Sequence, residues 1–456
     1  MTSTTLELLQ KYSVAGPRYT SYPTAPYFHT GYREADWLDA LAAMQPERGI
    51  SLYAHIPFCD SLCYYCGCNM VATRDYSKTV PYLAALEREM AATAARVDSG
   101  RIVRQLHLGG GTPTYLHPDD IRALMGRMRG HFNIAPDAEI SCEVDPRELT
   151  REHLVALREN GFNRVSFGVQ DMDPKVQEAV NRIQSEFLIR QVVDWARELG
   201  FSSVNLDLIV GLPRQTLESF RGTLDRVVAW SPDRLAVFAY AHVPWIKKHQ
   251  RLIQESELPD FATRLALQQA VNETLGGAGY VNIGLDHYAR PEDELVRAQQ
   301  NKTLWRNFQG YTTHKDCDIL AFGASSISQT VDVYMQNEKG LKSYEARVTA
   351  TGFAVERGIK LSLDDRIRRE AITRVMCDLE LDLAAFGEEW NIDATTYFAD
   401  ALADLRPLAD DGLVVFDGAR IEVTPVGRMF LRNIGMCFDR YLKDAATDKP
   451  RYSRTA

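Results

Sequence analysis

Ser51-Leu-Tyr-Ala-His-Ile-Pro-Phe-Cys-Asp-Ser-Leu-Cys-Tyr-Tyr-Cys-Gly-Cys-Asn69 begins as a strand and ends as a loop crowded with thiols. Residues 52–58 alternate small or aromatic with apolar side chains and read as a buried strand. Pro57 stops it. From Cys59 the spacing is C-x3-C-x2-C over Cys59, Cys63 and Cys66, with Cys68 two residues further on. Three thiolates this close can converge on one inorganic centre without help from the rest of the fold. An iron–sulfur cube held by only three cysteines keeps one iron open to a small molecule. A structural zinc site closes four ligands, usually as two separated pairs, and no second pair exists here. A zinc knuckle and a disulfide cluster are the alternatives that the cysteines alone leave open.

Outward from this stretch one unit repeats as far as residue 242: a short apolar strand, a polar or glycine-rich tip, then an amphipathic helix. The predicted strands are 52–58, 105–108, 139–144, 164–169, 204–210 and 234–241. The segments between them carry apolar residues at helical spacing, as in Ile121/Leu124/Met128 and Phe220/Leu224/Val227. Pro118 near a helix start, and Gly161 and Gly200 just past helix ends, are the expected punctuation. Six βα units in series predict a parallel sheet with right-handed crossovers. Because the alternation stops near residue 242, an open six-stranded barrel fits better than a closed eight-stranded one.

In such architectures the carboxyl ends of the strands build the site. Here they read as the cysteine loop, Gly109-Gly-Gly-Thr-Pro-Thr114, Glu143-Val-Asp145, Gln170-Asp171, Asp207 with Gly211, and Tyr240-Ala-His242. The glycine triplet lets a ligand approach backbone N–H groups, but no Gly-Lys-Ser/Thr follows, so it is not a P-loop. Singly, Glu143, Gln170 and Asp207 read equally well as caps or solvated loop residues. Gathered on the rim that carries the cysteines, they predict a polar small-molecule pocket.

The remainder bounds the answer. The chain has 456 residues, enough for a barrel-sized domain and a smaller one. A net charge of −9 argues against a general nucleic-acid surface. No apolar run approaches the length of a membrane span, and the start lacks a signal peptide's apolar core. Four of the eight cysteines fall within ten residues, which is metal or redox usage in a reducing compartment. The expected location is the cytoplasm, and with no heptad or apolar stripe the expected state is a monomer. Residues 1–50 hold an irregular strap, Gly16-Pro-Arg-Tyr-Thr-Ser-Tyr-Pro-Thr-Ala25. It either covers core surface or lays Arg18, Tyr19 or Tyr22 across a site mouth. Residues 51–360 are expected to form the barrel with an extension, in which 243–249 is a basic-aromatic solvated loop. Residues 361–456 turn helical around a hairpin at Asp417-Gly418, suggesting a small winged-helix-like domain in a scaffold or lid role.

These motifs together carry a resemblance. Cys59-x3-Cys-x2-Cys66, with Tyr65 before the third cysteine, is similar to the signature of radical S-adenosylmethionine (SAM) enzymes. Within that superfamily nearly the whole chain resembles the oxygen-independent coproporphyrinogen III oxidases. The shared stretches include Pro17-Arg-Tyr-Thr-Ser-Tyr-Pro-Thr24, Cys66-Gly-Cys-Asn69, Glu143-Val-Asp-Pro146, Gly168-Val-Gln170, Asn307-Phe-Gln-Gly-Tyr-Thr-Thr313 and Met436-Cys-Phe-Asp439. The resemblance implies a partial six-stranded (β/α)6 parallel radical SAM barrel with an N-terminal strap and a small, mainly helical C-terminal domain. It implies a 4Fe–4S cluster on Cys59, Cys63 and Cys66, with SAM on the open iron. SAM contacts, for two molecules of SAM, would fall on Tyr53, Tyr65, Gly110, Gly111, Thr112, Glu143, Gln170, Arg182, Asp207, Ala241 and Ile327. Cys68, Phe308 and Gln309 match positions needed for activity that are not cluster ligands, and Glu143 is carried as catalytic as well. Relatives often have Phe where this chain has Tyr65.

The implied reaction converts two propionates of coproporphyrinogen III to vinyl groups, giving protoporphyrinogen IX and carbon dioxide. A propionate C–H bond is unactivated, so the cofactor must supply a radical. That demands a low-potential electron donor such as flavodoxin or ferredoxin. The four substrate carboxylates call for cations, and Arg18, Lys247, Lys248 and Arg290 are the candidates, with solvated surface the equal alternative. A radical SAM enzyme acting on haem, or a haem chaperone, would share the barrel and three cysteines. The chaperones typically lack Cys68 and the Pro17–Thr24 strap, which favours the oxidase.

Overall fold

The computed structural model describes residues 3–443 and 452–455. The chain divides into two compact units. A barrel unit comprises residues 29–280 and 316–360; the second unit comprises residues 1–28, 281–315 and 361–456.

The barrel unit holds all six expected strands: β1 (Gly49–Ile56), β2 (Ile102–Gly110), β3 (Asn133–Val144), β4 (Arg164–Gln170), β5 (Ser203–Val210) and β6 (Arg234–Ala239). They pair in parallel in that order. A seventh parallel strand, β7 (Cys317–Phe322), flanks β1 on its other edge, in register from Gly49 opposite Cys317 to Ala54 opposite Phe322. Beyond it run β8 (Ile327–Gln329), β9 (Val333–Asn337) and β10 (Val355–Lys360), all antiparallel. The six-stranded expectation is thus extended by one parallel strand, which no local βα alternation announces. Pro57 does end β1, two residues earlier than the predicted 52–58, and Phe58–Cys59 resumes as a two-residue strand beside Val71–Ala72.

Strands buried on both faces explain the runs of apolar side chains. Leu52, Ala54, Leu106, Leu108, Phe167, Leu206 and Leu235 are all fully buried. The helices cover the sheet through their predicted stripes, with Ile121, Leu124 and Met128 of Pro118–His131 and Phe220, Leu224 and Val227 of Leu217–Trp230 buried. Among the described residues no helix is long and apolar enough to cross a membrane.

In the second unit, Val281–Gly284 and His287–Ala289 form one hairpin and Trp305–Asn307 and Gly310–Thr312 another. Strand Arg420–Val423 lies between Glu380–Asp382 and Val414–Phe416 in a three-stranded sheet, accompanied by helices including Leu363–Cys377 and Ala399–Asp410. The strap packs here. Tyr19 and Tyr22 are buried, and the Tyr19 hydroxyl donates to Asp439 Oδ2 at 2.9 Å. The Arg432 guanidinium donates to the Pro17 carbonyl at 3.1 Å, and Arg18 pairs with Asp286. Tyr19 and Tyr22 are therefore core residues of this unit. The Met436–Asp439 stretch holds the strap through its carboxylate.

Candidate active site

The cysteine loop leaves β1 at Pro57 and is pinned from several sides. Val71 N–H donates to the Pro57 carbonyl at 2.7 Å, Thr73 N–H to Cys59 O at 2.9 Å, and Tyr64 N–H to Val180 O at 3.0 Å. Beneath it, Tyr64, Tyr65 and Tyr240 pack on a buried apolar cluster of Val176, Val180, Ile209, Leu212 and Ile253. Tyr65 is thereby seated by its ring.

The thiols differ in environment. Cys63 is buried, and its Sγ accepts from Arg147 Nη2 at 3.3 Å and Arg182 Nη1 at 3.5 Å. Both guanidiniums also grip Asp145 Oδ2, at 2.6 Å from Arg147 and 3.0 Å from Arg182. Burial alone would raise the Asp145 carboxyl, but the Arg182 and Arg147 charges hold it well below the usual carboxylate range. Cys59 Sγ meets Thr112 Oγ1 at 3.3 Å, and burial pushes its thiol up to about 12. A hydrogen bond from Cys68 draws Cys66 down to about 7, while the same contact pushes Cys68 up. Among the described residues no three His, Cys, Asp or Glu side chains are closed into a single-ion site. A polynuclear cluster distributes its ligands over separate irons, so its thiolates stand further apart than on one ion. Three thiols in one loop, with two guanidinium N–H groups aimed at one sulfur, fit such a cluster: N–H donors to cysteine sulfur stabilise thiolate and tune its potential.

The glycine triplet abuts this loop. Gly111 N–H donates to Ile56 O and Thr112 N–H to Phe58 O, both at 2.8 Å. A Cβ on Gly111 would stand 2.8 Å from the Phe58 oxygen and the Pro57 carbonyl carbon, so only glycine allows that approach. Gly110, at φ +117°, donates its N–H to Glu143 Oε2 at 3.0 Å. Glu143 Oε1 lies 3.4 Å from His107 Nε2. Desolvation pushes the Glu143 carboxyl up, but the His107 and Gly110 contacts outweigh it and the net shift is down. Tyr53 stacks on His107 with ring centres 5.9 Å apart, and its hydroxyl lies 3.0 Å from His55 Nδ1.

On the neighbouring strands, Asp207 Oδ2 accepts from Ser166 Oγ at 2.8 Å and Oδ1 from Asn205 Nδ2 at 2.7 Å, while burial pushes its carboxyl up to about 6. Gln170 has φ +65°, and its amide and the Arg182 guanidinium both crowd the space beside Gly168, where a Cβ would lie 2.7 and 2.8 Å from them. Arg182 Nη2 donates to Gly168 O at 2.6 Å, and its Nε is buried without a hydrogen-bond partner. Ala241 offers its carbonyl to Gln250 Nε2 at 3.2 Å, and Ile327 opens β8.

The barrel unit thus contains Tyr53, Tyr65, Gly110, Gly111, Thr112, Glu143, Gln170, Arg182, Asp207, Ala241, Ile327 and all four clustered cysteines. Phe308 and Gln309 form the turn of the Trp305–Thr312 hairpin in the second unit, where Gln309 N–H donates to Asn307 Oδ1 at 2.8 Å. Both polar atoms of the Gln309 side chain are buried without a partner. Lys247 donates to the Cys68 carbonyl at 2.9 Å, so this candidate for a substrate carboxylate is already engaged with the loop. His107 and Arg147 escape sequence reasoning, and Asp145 entered it only as part of a strand end, without its pairing to two arginines. Asp145-Pro-Arg147 carries a usable signal, an acid and a base flanking a proline at a strand end, but its partner Arg182 lies far along the chain.

Comparison with known proteins follows these features. Residues 53–227 match the radical SAM superfamily and residues 361–430 the HemN C-terminal domain. The oxygen-independent coproporphyrinogen III oxidase of Escherichia coli K12 is 51% identical over 441 residues, covering 97% of this chain and 96% of that protein. That of Pseudomonas aeruginosa is 46% identical, covering 98% of each. The structure of coproporphyrinogen III oxidase (HemN) from E. coli, described as a radical SAM enzyme, superposes with a TM-score of 0.92 at 49% identity, covering 96% of this chain and 98% of that one. With the three-cysteine loop, the glycine triplet and the C-terminal domain all matched, the chain belongs to the oxygen-independent coproporphyrinogen III oxidases of the radical SAM superfamily.

Proposed function

We propose that this chain oxidatively decarboxylates two propionate side chains of coproporphyrinogen III to vinyl groups, yielding protoporphyrinogen IX. The observation that carries the reading is the three-thiol loop, with its guanidinium-supported Cys63, in a chain about half identical to oxidases of that name over nearly its full length. Cys59, Cys63 and Cys66 would hold the 4Fe–4S cluster. Bound cluster and SAM supply the one-electron hydrogen abstraction that no side-chain base achieves on an unactivated carbon. Each propionate then loses a hydrogen atom, carbon dioxide and one further electron.

The chain's own groups bind and orient. Tyr53, Tyr65, Gly110, Gly111, Thr112, Glu143, Gln170, Arg182, Asp207, Ala241 and Ile327 would together hold the two SAM molecules. Arg147 and Arg182 donate to Cys63 Sγ and orient it. Cys68 stands outside the ligand set, hydrogen-bonded to Cys66, and Phe308 and Gln309 match positions the family needs for activity without being cluster ligands. A low-potential one-electron donor, flavodoxin or ferredoxin, feeds the cluster, and the enzyme works as a monomer in the cytoplasm without nucleic acid or membrane. The test is anaerobic turnover: protoporphyrinogen IX formed together with 5′-deoxyadenosine supports the reading, and 5′-deoxyadenosine without it moves the substrate to another tetrapyrrole.

A further inference from the structure

Between Val243 and Leu252 the chain carries Lys247, Lys248, His249 and Arg251 and no acidic residue, in a protein of net charge −9. The segment has two faces. Its inner side chains clasp the cysteine loop by its carbonyls: Lys247 Nζ donates to Cys68 O at 2.9 Å, His249 Nε2 meets Cys66 O at 2.7 Å, and Gln250 Nε2 donates to Tyr65 O at 2.9 Å. Its outer side chains are large, apolar and open to solvent, Trp245 being 55% exposed, Ile246 58% and Leu252 57%. Lys248 and Arg251 are exposed beside them.

Three exposed large apolar residues in eight positions are a local concentration that a solvated loop does not need. We propose that residues 243–252 are the docking surface for an acidic one-electron carrier protein that reduces the cluster. The inference rests on the radical SAM reading, which requires such a carrier. Electron transfer slows steeply with distance, so a carrier must seat where little protein separates it from the cluster. Trp245 and Ile246 lie within two residues of Lys247, whose ammonium touches the cysteine loop itself. Trp and Arg are the side chains that most often anchor interfaces, and exposed cations steer an acidic partner. A compact patch suits redox encounters, which are small and short-lived. A membrane is a poorer occupant, because the only helix here, Lys248–Leu252, has five residues, where interfacial helices commonly run to twenty or more.

The test titrates FMN-loaded flavodoxin into the reconstituted full-length protein, comparing wild type with Trp245→Ser and Arg251→Glu. Each variant should weaken carrier binding by about tenfold, and wild-type affinity should fall as salt rises. Turnover supported by limiting flavodoxin should fall in parallel, while 5′-deoxyadenosine formed with dithionite stays at the wild-type rate. Unchanged carrier affinity in both variants, or a wild type that binds neither flavodoxin nor ferredoxin, would overturn the inference. So would a raised KM for coproporphyrinogen III with dithionite, which would assign the surface to substrate, or variant-sensitive binding to phosphatidylglycerol vesicles with carrier affinity unaltered. A wild type that makes 5′-deoxyadenosine but no protoporphyrinogen would sink the proposed reaction and leave the docking surface standing.

Discussion

Glu89 is a fully enclosed carboxyl on helix Thr79–Ala94, and its replacement by glutamine gives a sharp test of the barrel's internal chemistry. Its Oε2 accepts from Gly323 N–H at 2.9 Å and the Tyr344 hydroxyl at 2.6 Å, and its Oε1 from Asn337 Nδ2 at 2.5 Å. Nearby, the Tyr82 hydroxyl donates to His55 O at 2.6 Å and receives Ala324 N–H at 3.1 Å. Together these bonds fix the loop from β7 to β8 that leads to Ile327. Burial raises the Glu89 carboxyl from 4.5 to about 7, against the hydrogen bonds that favour its charge. The folded state therefore holds the proton more tightly than the unfolded one. The stability contributed by protonation is whole below about 4.5 and is lost as pH rises through 7. At about 1.4 kcal/mol per tenfold in the equilibrium, that difference is roughly 3 kcal/mol. Glu89→Gln removes the titration and turns an N–H2 group toward the donors the carboxyl accepted, costing about 1–3 kcal/mol at pH 5. By pH 8 the variant's deficit should shrink by roughly 3 kcal/mol, to nothing or below, because only the wild type has had to ionise. Hydrogen exchange of the Gly323 and Ala324 amides, corrected for intrinsic rates at pH 5 to 8, reads this locally. Parallel pH profiles for wild type and variant would refute the reasoning.

Other perturbations act on the cluster loop. Cys68→Ser should keep full iron and sulfide after reconstitution yet lose substrate turnover; loss of the cluster itself would make Cys68 a ligand. Arg182→Met removes the bonds to Asp145, Gly168 and Cys63 Sγ and leaves a buried carboxylate with one partner fewer, a change of about 3–5 kcal/mol in such settings. Its reconstituted cluster should show a more negative midpoint potential in redox titration, and an unchanged potential would mean that the contact to Cys63 does not tune it. Gly111→Ala forces a methyl to 2.8 Å from the Phe58 carbonyl oxygen. SAM binding should weaken by roughly five- to a hundredfold, from the order of 1–3 kcal/mol that overpacking costs; equilibrium binding at wild-type affinity would show that the loop yields freely.

What could be read from the sequence was whatever repeats or clusters locally. The six βα units were legible because each strand is followed by its helix, with apolar residues at 2-fold and then 3.6-fold spacing. Strand lengths were not: β2 begins at Ile102 and β3 at Asn133, behind Arg104 and Pro136, which disguise the starts. β7 was missed because its partner β1 lies more than 260 residues earlier and pairs by register, not by local pattern. At the site, the cysteines and the strand-end residues were legible as types gathered on one rim. The grip of Arg147 and Arg182 on Asp145, the clasp of residues 247–250 on the cysteine loop and the Glu89 network were not. Each joins side chains that only the folded sheet brings together. The strap was legible as non-helical, but its choice between core and site mouth depended on Asp439, near the opposite end of the chain.

The measurement that bears most directly on the account is anaerobic turnover of the reconstituted, reduced protein with SAM and coproporphyrinogen III. Porphyrins are analysed after oxidation, alongside released 5′-deoxyadenosine. Protoporphyrin rising in step with 5′-deoxyadenosine is the predicted result; an intact cluster that yields neither product would contradict it.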